Sequence, residues 1–360
     1  MPAFVDLFAG AGGLSLGFIM AGWKPLAFVE KNMWACETYE YNIKPQCSFC
    51  KDILKLNPRD IVDAVGVPEA VIGGPPCKPF SDANRKNNGL IHPEYYLPMK
   101  FVKYAVYLKP SIIVMEEVPG FKRFLRSAVI EALTEAGYKV TELHLNALHY
   151  GIPQNRRRYI IISAQEKCFL EEIVILIKER ERNCYVTTVH EAISDLPLKA
   201  LYDKDEPLDY ASPPRSKYQE WARSVLGGAA KIYNHVTSRA EKMLKKFPYI
   251  RPGENLQKAW SRLPLEIRRD FKNPDAIHSN IYRRLHPHMP SITITHPRKT
   301  VIIHPYVDRI ITVREAARLQ SFPDSFIFKG PVSVMQQMVA DATPPILASI
   351  IANSILKVLK

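Results

Sequence analysis

Short apolar runs alternate with stretches of helical periodicity from the start of the chain to about residue 164. Runs of this length, bounded by turn residues, are typical of buried strands, and apolar residues at every third or fourth position are typical of helices. The predicted strands are Ala3 to Phe8, Pro25 to Val29, Ala70 to Ile72, Ser111 to Met115 and Lys139 to Leu145. The predicted helices are Leu97 to Tyr107 and Leu125 to Gly137. This alternation predicts an α/β fold with an open, mostly parallel sheet and ligands at the carboxyl ends of its strands.

The pattern changes beyond about residue 165, where basic residues, prolines and aromatic residues replace the clean strand and helix units. Two more helices are predicted near the end of the chain, Arg314 to Gln320 and Pro345 to Leu359. A chain of 360 residues is expected to form one large and one smaller domain. We therefore predict a large domain from residues 1–164 plus about 325–360, and a smaller, mixed domain from about 165–324.

The charge of the chain favours a polyanionic partner. Lys and Arg number 49 against 36 Asp and Glu, which gives a formal net charge of +13. Tyrosines and tryptophans between lysines and arginines in residues 165–305 suit phosphate contacts and base reading, although a small core with a basic surface would look similar. The chain begins with a strand pattern, and no apolar run is judged long enough to span a bilayer. Six cysteines in a chain of this length are not expected to form a disulfide framework. These features predict that the protein works in the cytoplasm.

A glycine-rich segment, Ala9 to Phe18, follows the first predicted strand. Glycines between a strand and a helix let the backbone approach a ligand, and the helix N-terminus favours an anionic group. The segment therefore predicts a nucleotide-like cofactor, although a turn needed only for packing would look the same. Ser15 occupies the position of the third glycine of the dinucleotide pattern, which argues against a nicotinamide cofactor.

Two carboxylates follow predicted strands near the same edge of the sheet. Glu30, twenty positions after Gly10, suits both hydroxyls of a ribose, and Asp52 suits an exocyclic amine. Solvated strand ends would give the same pattern. Cys47 and Cys50 are interpreted as strand residues, because no second cysteine pair follows with zinc-site spacing, and no metal is expected.

Cys77 is the candidate nucleophile. The sequence around it, Gly74-Pro75-Pro76-Cys77-Lys78-Pro79, leaves no regular element in which to bury the thiol, so an exposed turn is predicted rather than an inert core cysteine. The polar residues 82–89 that follow, with Arg85 and Lys86, suit either a solvated loop or one that closes over a nucleic-acid backbone.

Further charged candidates lie on two later strands. Glu116 and Glu117 point to opposite faces of a strand, so one of them faces a given pocket, and apolar surroundings can raise the pKa of such a carboxyl. Arg156 and Arg158 are predicted to share one face of the next strand, with Arg157 on the other.

Taken in order, these motifs resemble those of the prokaryotic DNA (cytosine-5-)-methyltransferases of restriction-modification systems. The resemblance covers residues 1–163 and about 282–350. It rests on Asp6-Leu7-Phe8-Ala9-Gly10-Ala11-Gly12-Gly13, Glu30, Asp52, Pro75-Pro76-Cys77, Glu116-x-Val118, Gln154-x-Arg156-x-Arg158 and Arg314-Glu315-Ala316-Ala317-Arg318-Leu319-Gln320-Ser321-Phe322-Pro323. It implies a Rossmann-like S-adenosylmethionine-dependent methyltransferase sheet, with target recognition mainly in residues 165–305.

The resemblance also implies a mechanism and a set of site residues. Cys77 would add to carbon 6 of a flipped-out cytosine, Glu116 would bind ring nitrogen 3, and Arg158 with Arg156 would hold the base carbonyl. Positive charge near Cys77 favours the thiolate over a thiol whose free pKa is about 8.5. The expected substrate or DNA contacts are Ser81, Gln154, Arg156 and Arg158. The expected S-adenosylmethionine contacts are Phe8, Ala9, Gly10, Gly12, Gly13, Leu14, Glu30, Lys31, Asp52, Ile53, Pro76, Leu97 and Asp341.

The expected partners are duplex DNA and a cognate restriction endonuclease, with the enzyme acting as a monomer and without a membrane. Glu117 and Asp341 stand where the family usually has Asn. Alternative functions are a tRNA cytosine-5 methyltransferase, whose Cys-Phe-Thr signature is absent, and a catalytically weak DNA-binding protein with the same fold. Amino-nitrogen methylation is disfavoured, because it typically uses an Asn-Pro-Pro-Tyr type of turn.

Overall fold

The computed structural model describes residues 1–80, 92–182, 185–202, 204–269 and 281–359. By internal contacts the chain forms two compact units. The first unit comprises Met1–Tyr150, Arg157–Tyr185 and Ala342–Lys360, and the second comprises Gly151–Arg156 and Val186–Asp341. These limits differ from the boundaries expected at residue 164 and about residue 325, and the functional division between the domains stays a prediction.

The first unit contains a seven-stranded sheet in the order β3-β2-β1-β4-β5-β7-β6. Its strands are β1 Ala3–Leu7, β2 Lys24–Val29, β3 Cys47–Phe49, β4 Ala70–Gly73, β5 Ile112–Glu117, β6 Lys139–Asn146 and β7 Arg157–Ala164. The pairs from β3 to β5 are parallel, whereas β7 runs antiparallel to both β5 and β6. The predicted α/β class with a mostly parallel sheet is confirmed, and the reversed β7 was not foreseen.

Helices flank the sheet, which explains why its central strands are continuous apolar runs. They are α1 Gly13–Met20, α2 Met33–Ile43, α3 Pro58–Val65, α4 Leu97–Leu108, α5 Arg126–Glu135, α6 Lys167–Arg182 and, from the end of the chain, α15 Pro345–Val358. Gly17 lets α1 and α15 approach closely, because a Cβ there would lie 2.3 Å from the Cβ of Ala348. The Trp23 indole also donates to the carbonyl of Ala352 at 3.2 Å. The C-terminal helix therefore completes the fold that begins at residue 3.

The second unit consists of short elements around its own apolar core, which includes Phe247, Ile250 and Ile303. Its elements are α7 Val189–Ile193, α8 Lys217–Ser224, α9 Glu241–Leu244, α10 Leu256–Ala259, α11 Leu265–Arg268, β8 Arg283–Arg284, α12 Pro297–Thr300, β9 Ile302–Ile303, α13 Val313–Leu319 and α14 Val332–Asp341. Most of these helices have fewer than two turns, so they leave little periodicity in the sequence.

By length and composition, the stretch Val332–Val358 is apolar enough to cross a membrane, contrary to the expectation from the sequence. The chain, however, leaves α14 at Asp341 and begins α15 at Pro345, and 61% of the apolar 18-residue window within the stretch is buried in the protein. Burial of this extent is typical of a core helix, so the stretch is only weak evidence for a membrane span.

Buried ion pairs hold the second unit together. Arg318 donates to Asp324 at 2.6 Å and to Asp195 at 3.1 Å, and Arg309 donates to both oxygens of Glu315 at 2.7 and 2.6 Å. Glu315 also caps α13 together with Thr312. Buried charges are tolerated when they are paired in this way, so this part of the chain depends on electrostatic pairing as well as on its apolar core.

Candidate active site

Cys77 lies on a turn that leaves β4 at the carboxyl edge of the sheet. The turn needs glycine at its start, because a Cβ on Gly73 would lie 2.1 Å from the carbonyl oxygen of Leu7. A 3₁₀ turn, Lys78–Phe80, follows the cysteine, and the carbonyl of Cys77 accepts the Phe80 amide at 3.0 Å. Cys77 is half-buried. The thiol is therefore carried on a short, hydrogen-bonded turn outside the strand.

Phe80 and Gly120 support this turn, and sequence reasoning missed both. The Phe80 ring is fully buried; it packs edge-on against Phe121 at 5.2 Å and at a tilt against Tyr95 at 5.6 Å. A Cβ on Gly120 would lie 2.0 Å from the Phe80 carbonyl oxygen, so only glycine allows the two backbones to meet. A large apolar residue three positions after the candidate nucleophile was the available signal.

Glu116 lies beside the beginning of the Cys77 turn. Gly73 pairs with Met115 in the parallel β4–β5 ladder, which brings the next residues of both strands together. A Cβ on Gly74 would lie 3.0 Å from Glu116 Oε2, so a side chain there would crowd the carboxylate. The carboxylate is thus held at the entrance of the turn that carries the thiol.

Arg158 forms an ion pair with Glu116 across the antiparallel β5–β7 ladder. The Arg158 Nε contacts Glu116 Oε1, and the two side chains are only 10% and 11% exposed. Neither of these two atoms makes a well-directed hydrogen bond, whereas Arg158 Nη1 donates to the carbonyl of Arg157 at 2.8 Å. The pair is therefore held by charge, and it retains hydrogen-bonding capacity toward a ligand.

Glu117 points to the opposite face, as expected for adjacent strand residues. It is fully buried, its Oε2 accepts the Val118 amide at 3.2 Å, and its Oε1 has no hydrogen-bond partner. Burial, followed by the nearby Glu116 carboxylate, raises the pKa of Glu117 well above its ordinary value. The two successive carboxyls thus differ in their surroundings: Glu116 lies beside Arg158, whereas Glu117 is fully buried and one of its oxygens has no hydrogen-bond partner.

The glycine-rich segment turns sharply between β1 and α1. Gly10 and Gly12 have φ angles of 54° and 91°, which favour glycine. The Gly10 amide donates to Glu30 Oε2 at 2.9 Å, and the Asn32 amide donates to Glu30 Oε1 at 2.8 Å. Glu30 therefore ties together the loops that follow β1 and β2, and each of its oxygens keeps a further lone pair for a ligand.

Beneath this segment lies a buried polar cluster that the sequence reasoning did not single out. Ser15 donates to Asp6 Oδ2 at 2.5 Å and lies 2.7 Å from the hydroxyl of Tyr39, while Asp6 Oδ1 has no hydrogen-bond partner. Burial raises the pKa of Asp6 to about 8. A carboxyl inside the apolar run of β1 was the sequence signal for this cluster.

The remaining predicted cofactor residues of the first unit follow strand ends or begin helices. Asp52 caps a 3₁₀ turn by accepting the Leu54 amide at 2.9 Å, and Lys31 pairs with Glu94 at 3.7 Å. The others are Phe8, Ala9, Gly13, Leu14, Ile53, Pro76 and Leu97, all buried or half-buried. Because parallel strands end at one edge, the sheet brings the glycine segment, Glu30, Asp52, the Cys77 turn and Glu116 to that edge.

Gln154, Arg156 and Asp341 belong to the second unit. Gln154 accepts the Ile294 amide at 2.8 Å, and Arg156 donates to the carbonyls of Ile294 and Ala340 at 3.2 and 2.9 Å. Asp341 ends α14 and accepts from Gln337 at 2.8 Å. Arg156 directly precedes β7, which begins at Arg157; Arg156 and Arg158 are both buried, whereas Arg157 is exposed, and their predicted shared face stays a prediction.

Ser81, Arg85 and Lys86 lie outside the described residues. Within the part of the chain that the structure describes, no three His, Cys, Asp or Glu side chains come together as metal ligands. Cys47 lies in β3 and Cys50 directly follows that strand.

Comparison with known proteins gives a consistent result. The family model of the C-5 cytosine-specific DNA methylases matches residues 3–357. Type II methyltransferase M.DdeI of Desulfomicrobium norvegicum is 33% identical over 98% of this chain and 88% of its own length. Type II methyltransferase M1.HphI of Haemophilus parahaemolyticus is 30% identical over 98% of this chain and 86% of its length.

Solved structures share the fold. A putative DNA modification methyltransferase encoded within an E. coli prophage superposes with a TM-score of 0.77 at 24% identity, covering 100% of this chain and 99% of that one. The S. pombe Dnmt2 methyltransferase gives a TM-score of 0.65 at 14% identity, with 100% of both chains covered. The predicted Rossmann-like methyltransferase fold is confirmed.

An α/β methyltransferase sheet with a cysteine turn beside a Glu–Arg pair defines the class of protein. The chain belongs to the C-5 cytosine-specific DNA methylase family. The predicted enzyme class, DNA (cytosine-5-)-methyltransferase, is thereby confirmed.

Proposed function

We propose that the protein transfers a methyl group from S-adenosylmethionine to carbon 5 of a cytosine within a specific duplex DNA sequence. The observation that carries this proposal is the Glu116–Arg158 ion pair at the entrance of the Cys77 turn. A thiol, a carboxyl group and a guanidinium at one strand edge supply a nucleophile, a partner for a ring nitrogen and a donor for a carbonyl.

Cys77 is proposed to add as a thiolate to carbon 6 of the cytosine, which makes carbon 5 nucleophilic. Glu116 holds a hydrogen bond to ring nitrogen 3, and Arg158 donates to the base carbonyl while it keeps Glu116 in position. Carbon 5 accepts the methyl group, a base then removes the carbon-5 proton, and the carbon–sulfur bond breaks to regenerate Cys77. Because the base is unreachable inside a duplex, it must be flipped out at a cost of about a few kcal/mol.

The glycine segment and the acidic strand ends fit S-adenosylmethionine, which would supply an electrophilic methyl sulfonium. Gly10 and Gly12 hold the loop in a conformation that lets a ligand approach the backbone. Glu30 is fixed by two amides and retains acceptor capacity for ribose hydroxyls, and Asp52, which caps a 3₁₀ turn, is proposed to accept from an adenine amine. Asp341 is retained as a proposed cofactor neighbour, and Ser81, Gln154 and Arg156 as proposed contacts on the DNA side.

Target recognition is proposed for residues 165–305, chiefly from Val186 onward because α6 belongs to the first unit, and the net charge of +13 favours a DNA backbone. The Type II names of its relatives support a role in a restriction-modification system, with a cognate endonuclease acting on the same site. We propose a monomer working in a prokaryotic cytoplasm, since methylation is an asymmetric act on one strand.

Methyl transfer from labelled S-adenosylmethionine tests the proposal. The protein is incubated with duplex DNA of mixed sequence or with bulk tRNA, and the modified base is identified after digestion. We expect 5-methylcytosine in DNA only, and none with Cys77→Ala. Label confined to tRNA would favour the RNA enzyme. Binding of cofactor and DNA without transfer would favour an inert binding protein.

A further inference from the structure

Glu117 is a buried carboxyl that the proposed mechanism does not use. As the last residue of β5, it points to the same face as Ile113 and Met115, which belong to the apolar core of the sheet. It is 0% exposed, and Oε1 has no hydrogen-bond partner. An ionised carboxylate in such a position would be strongly destabilising, because neither water nor a donor solvates one of its oxygens.

The charges around Glu117 favour its neutral form for an independent reason. Arg158 is the nearby cation, and it is already in ion-pair contact with Glu116. If Glu117 were negatively charged, the carboxylates of two successive residues, Glu116 and Glu117, would have to share the one guanidinium of Arg158. With Glu117 neutral, the Arg158 guanidinium serves Glu116 alone.

Hydrogen bonds and close contacts connect Glu117 to the candidate nucleophile. Its Oε2 accepts the amide of Val118, and the Val118 carbonyl accepts the Phe121 amide at 3.0 Å, which closes the turn after β5. Within that turn, Gly120 meets the carbonyl of Phe80. The Phe80 amide, in turn, donates to the Cys77 carbonyl. The carboxyl therefore supports the turn against which the Cys77 turn packs.

We propose that Glu117 is a positioning residue that works as a neutral carboxylic acid, and that loss of its proton displaces the Cys77 turn and sets an alkaline limit on methyl transfer. This inference rests on the proposed function. A protonated carboxyl and an amide are both neutral groups with one donor side and one acceptor side, so Gln is the substitution that preserves the proposed role.

Other titratable groups on the elements packed around Glu117 do not change its preference for the neutral form. On β7, Tyr159 lies opposite Glu117 in the ladder and donates its hydroxyl to Glu142, which Arg126 pairs. Tyr95 packs against Phe80 as a neutral phenol. The basic residues of the two supporting turns, Lys78, Lys122 and Arg123, are exposed. Glu116 and Arg158 are thus the charges that act on Glu117.

The first test compares the folding equilibrium of the full-length protein with that of Glu117→Gln between pH 5 and pH 8. The unfolded chain loses the Glu117 proton near pH 4.5, whereas the folded protein keeps it, so stability falls as pH rises. We therefore expect the ratio of the folding constant of Glu117→Gln to that of the wild type to rise by up to about tenfold for each unit of pH. Glu135→Gln, an exposed carboxyl on α5, is the matched control and should show no such trend.

The second test measures methyl transfer to duplex DNA across the same range and up to pH 10. Glu117→Gln should keep wild-type activity at pH 7 within about threefold, because its amide replaces the neutral acid, and should lose less activity at alkaline pH. Glu117→Ala, which removes the support of Val118, should lose more than about tenfold in kcat while still binding S-adenosylmethionine.

A pH-independent stability difference between wild type and Glu117→Gln would overturn the proposal, because it would mean that Glu117 is ionised in the folded protein. So would an inactive Glu117→Gln that folds and binds cofactor. If instead the wild type itself transfers no methyl group to DNA at any pH, it is the proposed function that fails, while the stability comparison still reports the protonation of Glu117.

Discussion

Buried carboxyls have opposite properties in the two units. In the second unit, Glu315 and Asp324 are paired with arginines, and although burial alone would raise their pKa values, Arg309 and Arg318 lower them. In the first unit, Asp6 and Glu117 are buried just as deeply, but each has one oxygen without a hydrogen-bond partner, and burial raises their pKa values. Equal burial therefore leads to charged carboxylates in one place and neutral acids in the other.

The two units differ in whether an arginine side chain lies beside each of these buried carboxyls. The second unit uses buried arginines to hold α13 and the segment after it, where charge serves structure. In the first unit, the buried arginine of the site, Arg158, is paired with Glu116, and burial raises the pKa values of Asp6 and Glu117, the acids next to the functional loops. Perturbed acids that cluster near a strand-edge site are typical of functional regions.

The largest expected effect comes from breaking the one ion pair at the candidate site. Glu116→Gln should lower kcat for methyl transfer by about 10²–10⁴-fold, because the amide cannot supply a proton to ring nitrogen 3. Thermal unfolding should change less than activity, because the amide oxygen of the introduced Gln side chain still accepts from Arg158 and Arg158 keeps its hydrogen bond to the carbonyl of Arg157. Single-turnover assays with labelled cofactor measure the first effect and calorimetry the second. A loss of activity matched by a comparable loss of fold would assign Glu116 to structure instead.

In the second unit, the expected loss is one of stability. Arg318→Met should destabilise the protein by about 3–5 kcal/mol, because it removes the guanidinium that joins Asp324 and Asp195. Each of these buried carboxylates is left with a weaker set of partners, Arg314 at 3.8 Å and Arg223 respectively. Denaturant unfolding at pH 7 measures this loss, and lower pH should relieve part of it by protonating Asp324, whose pKa, despite its burial, Arg318 lowers in the wild type. Arg59→Met, an exposed arginine on α3, is the control and should change stability by less than about 1 kcal/mol.

A gradual, pH-dependent effect, of at most about 1.4 kcal/mol for each pH unit, is expected at Asp6. Its pKa rises from 3.8 to about 8 on folding, so the folded protein keeps a proton that the unfolded chain loses, and stability falls as pH rises through this window. Asp6→Asn removes the titration and should gain stability over wild type by at most about 1.4 kcal/mol per pH unit between pH 4 and 8. Unfolding curves of both proteins at several pH values measure this gain. A difference in stability between wild type and Asp6→Asn that did not change with pH would contradict the prediction.

Much of the first unit could be predicted from the sequence, since its strands are buried on both faces and its turns are marked by glycine and proline. The turn around Cys77 and the twenty-residue spacing from Gly10 to Glu30 were predicted for this reason. The antiparallel direction of β7 was not, because an apolar strand has the same composition in either direction.

Long-range contacts account for what was missed at the site. Local signals exist for Phe80 and Asp6, namely a large apolar residue shortly after Cys77 and a carboxyl within β1. These signals do not identify the partners, such as Gly120 and Tyr39, that lie farther along the chain. Arg156 was placed on a strand because its spacing to Arg158 fits a period of two, yet backbone carbonyls more than 100 positions away fix its side chain. In the second unit, helices of about one turn carry too few residues for a periodic signal.

The most direct test of covalent catalysis at Cys77 uses duplex DNA in which 5-fluorocytosine replaces cytosine. Fluorine cannot leave as the carbon-5 proton does, so with S-adenosylmethionine present the enzyme should remain attached to the DNA after denaturation, and Cys77→Ala should not. Mapping the adduct would also identify the recognised sequence. A cofactor-binding enzyme that forms no adduct on any duplex, or forms the same adduct without Cys77, would contradict this account.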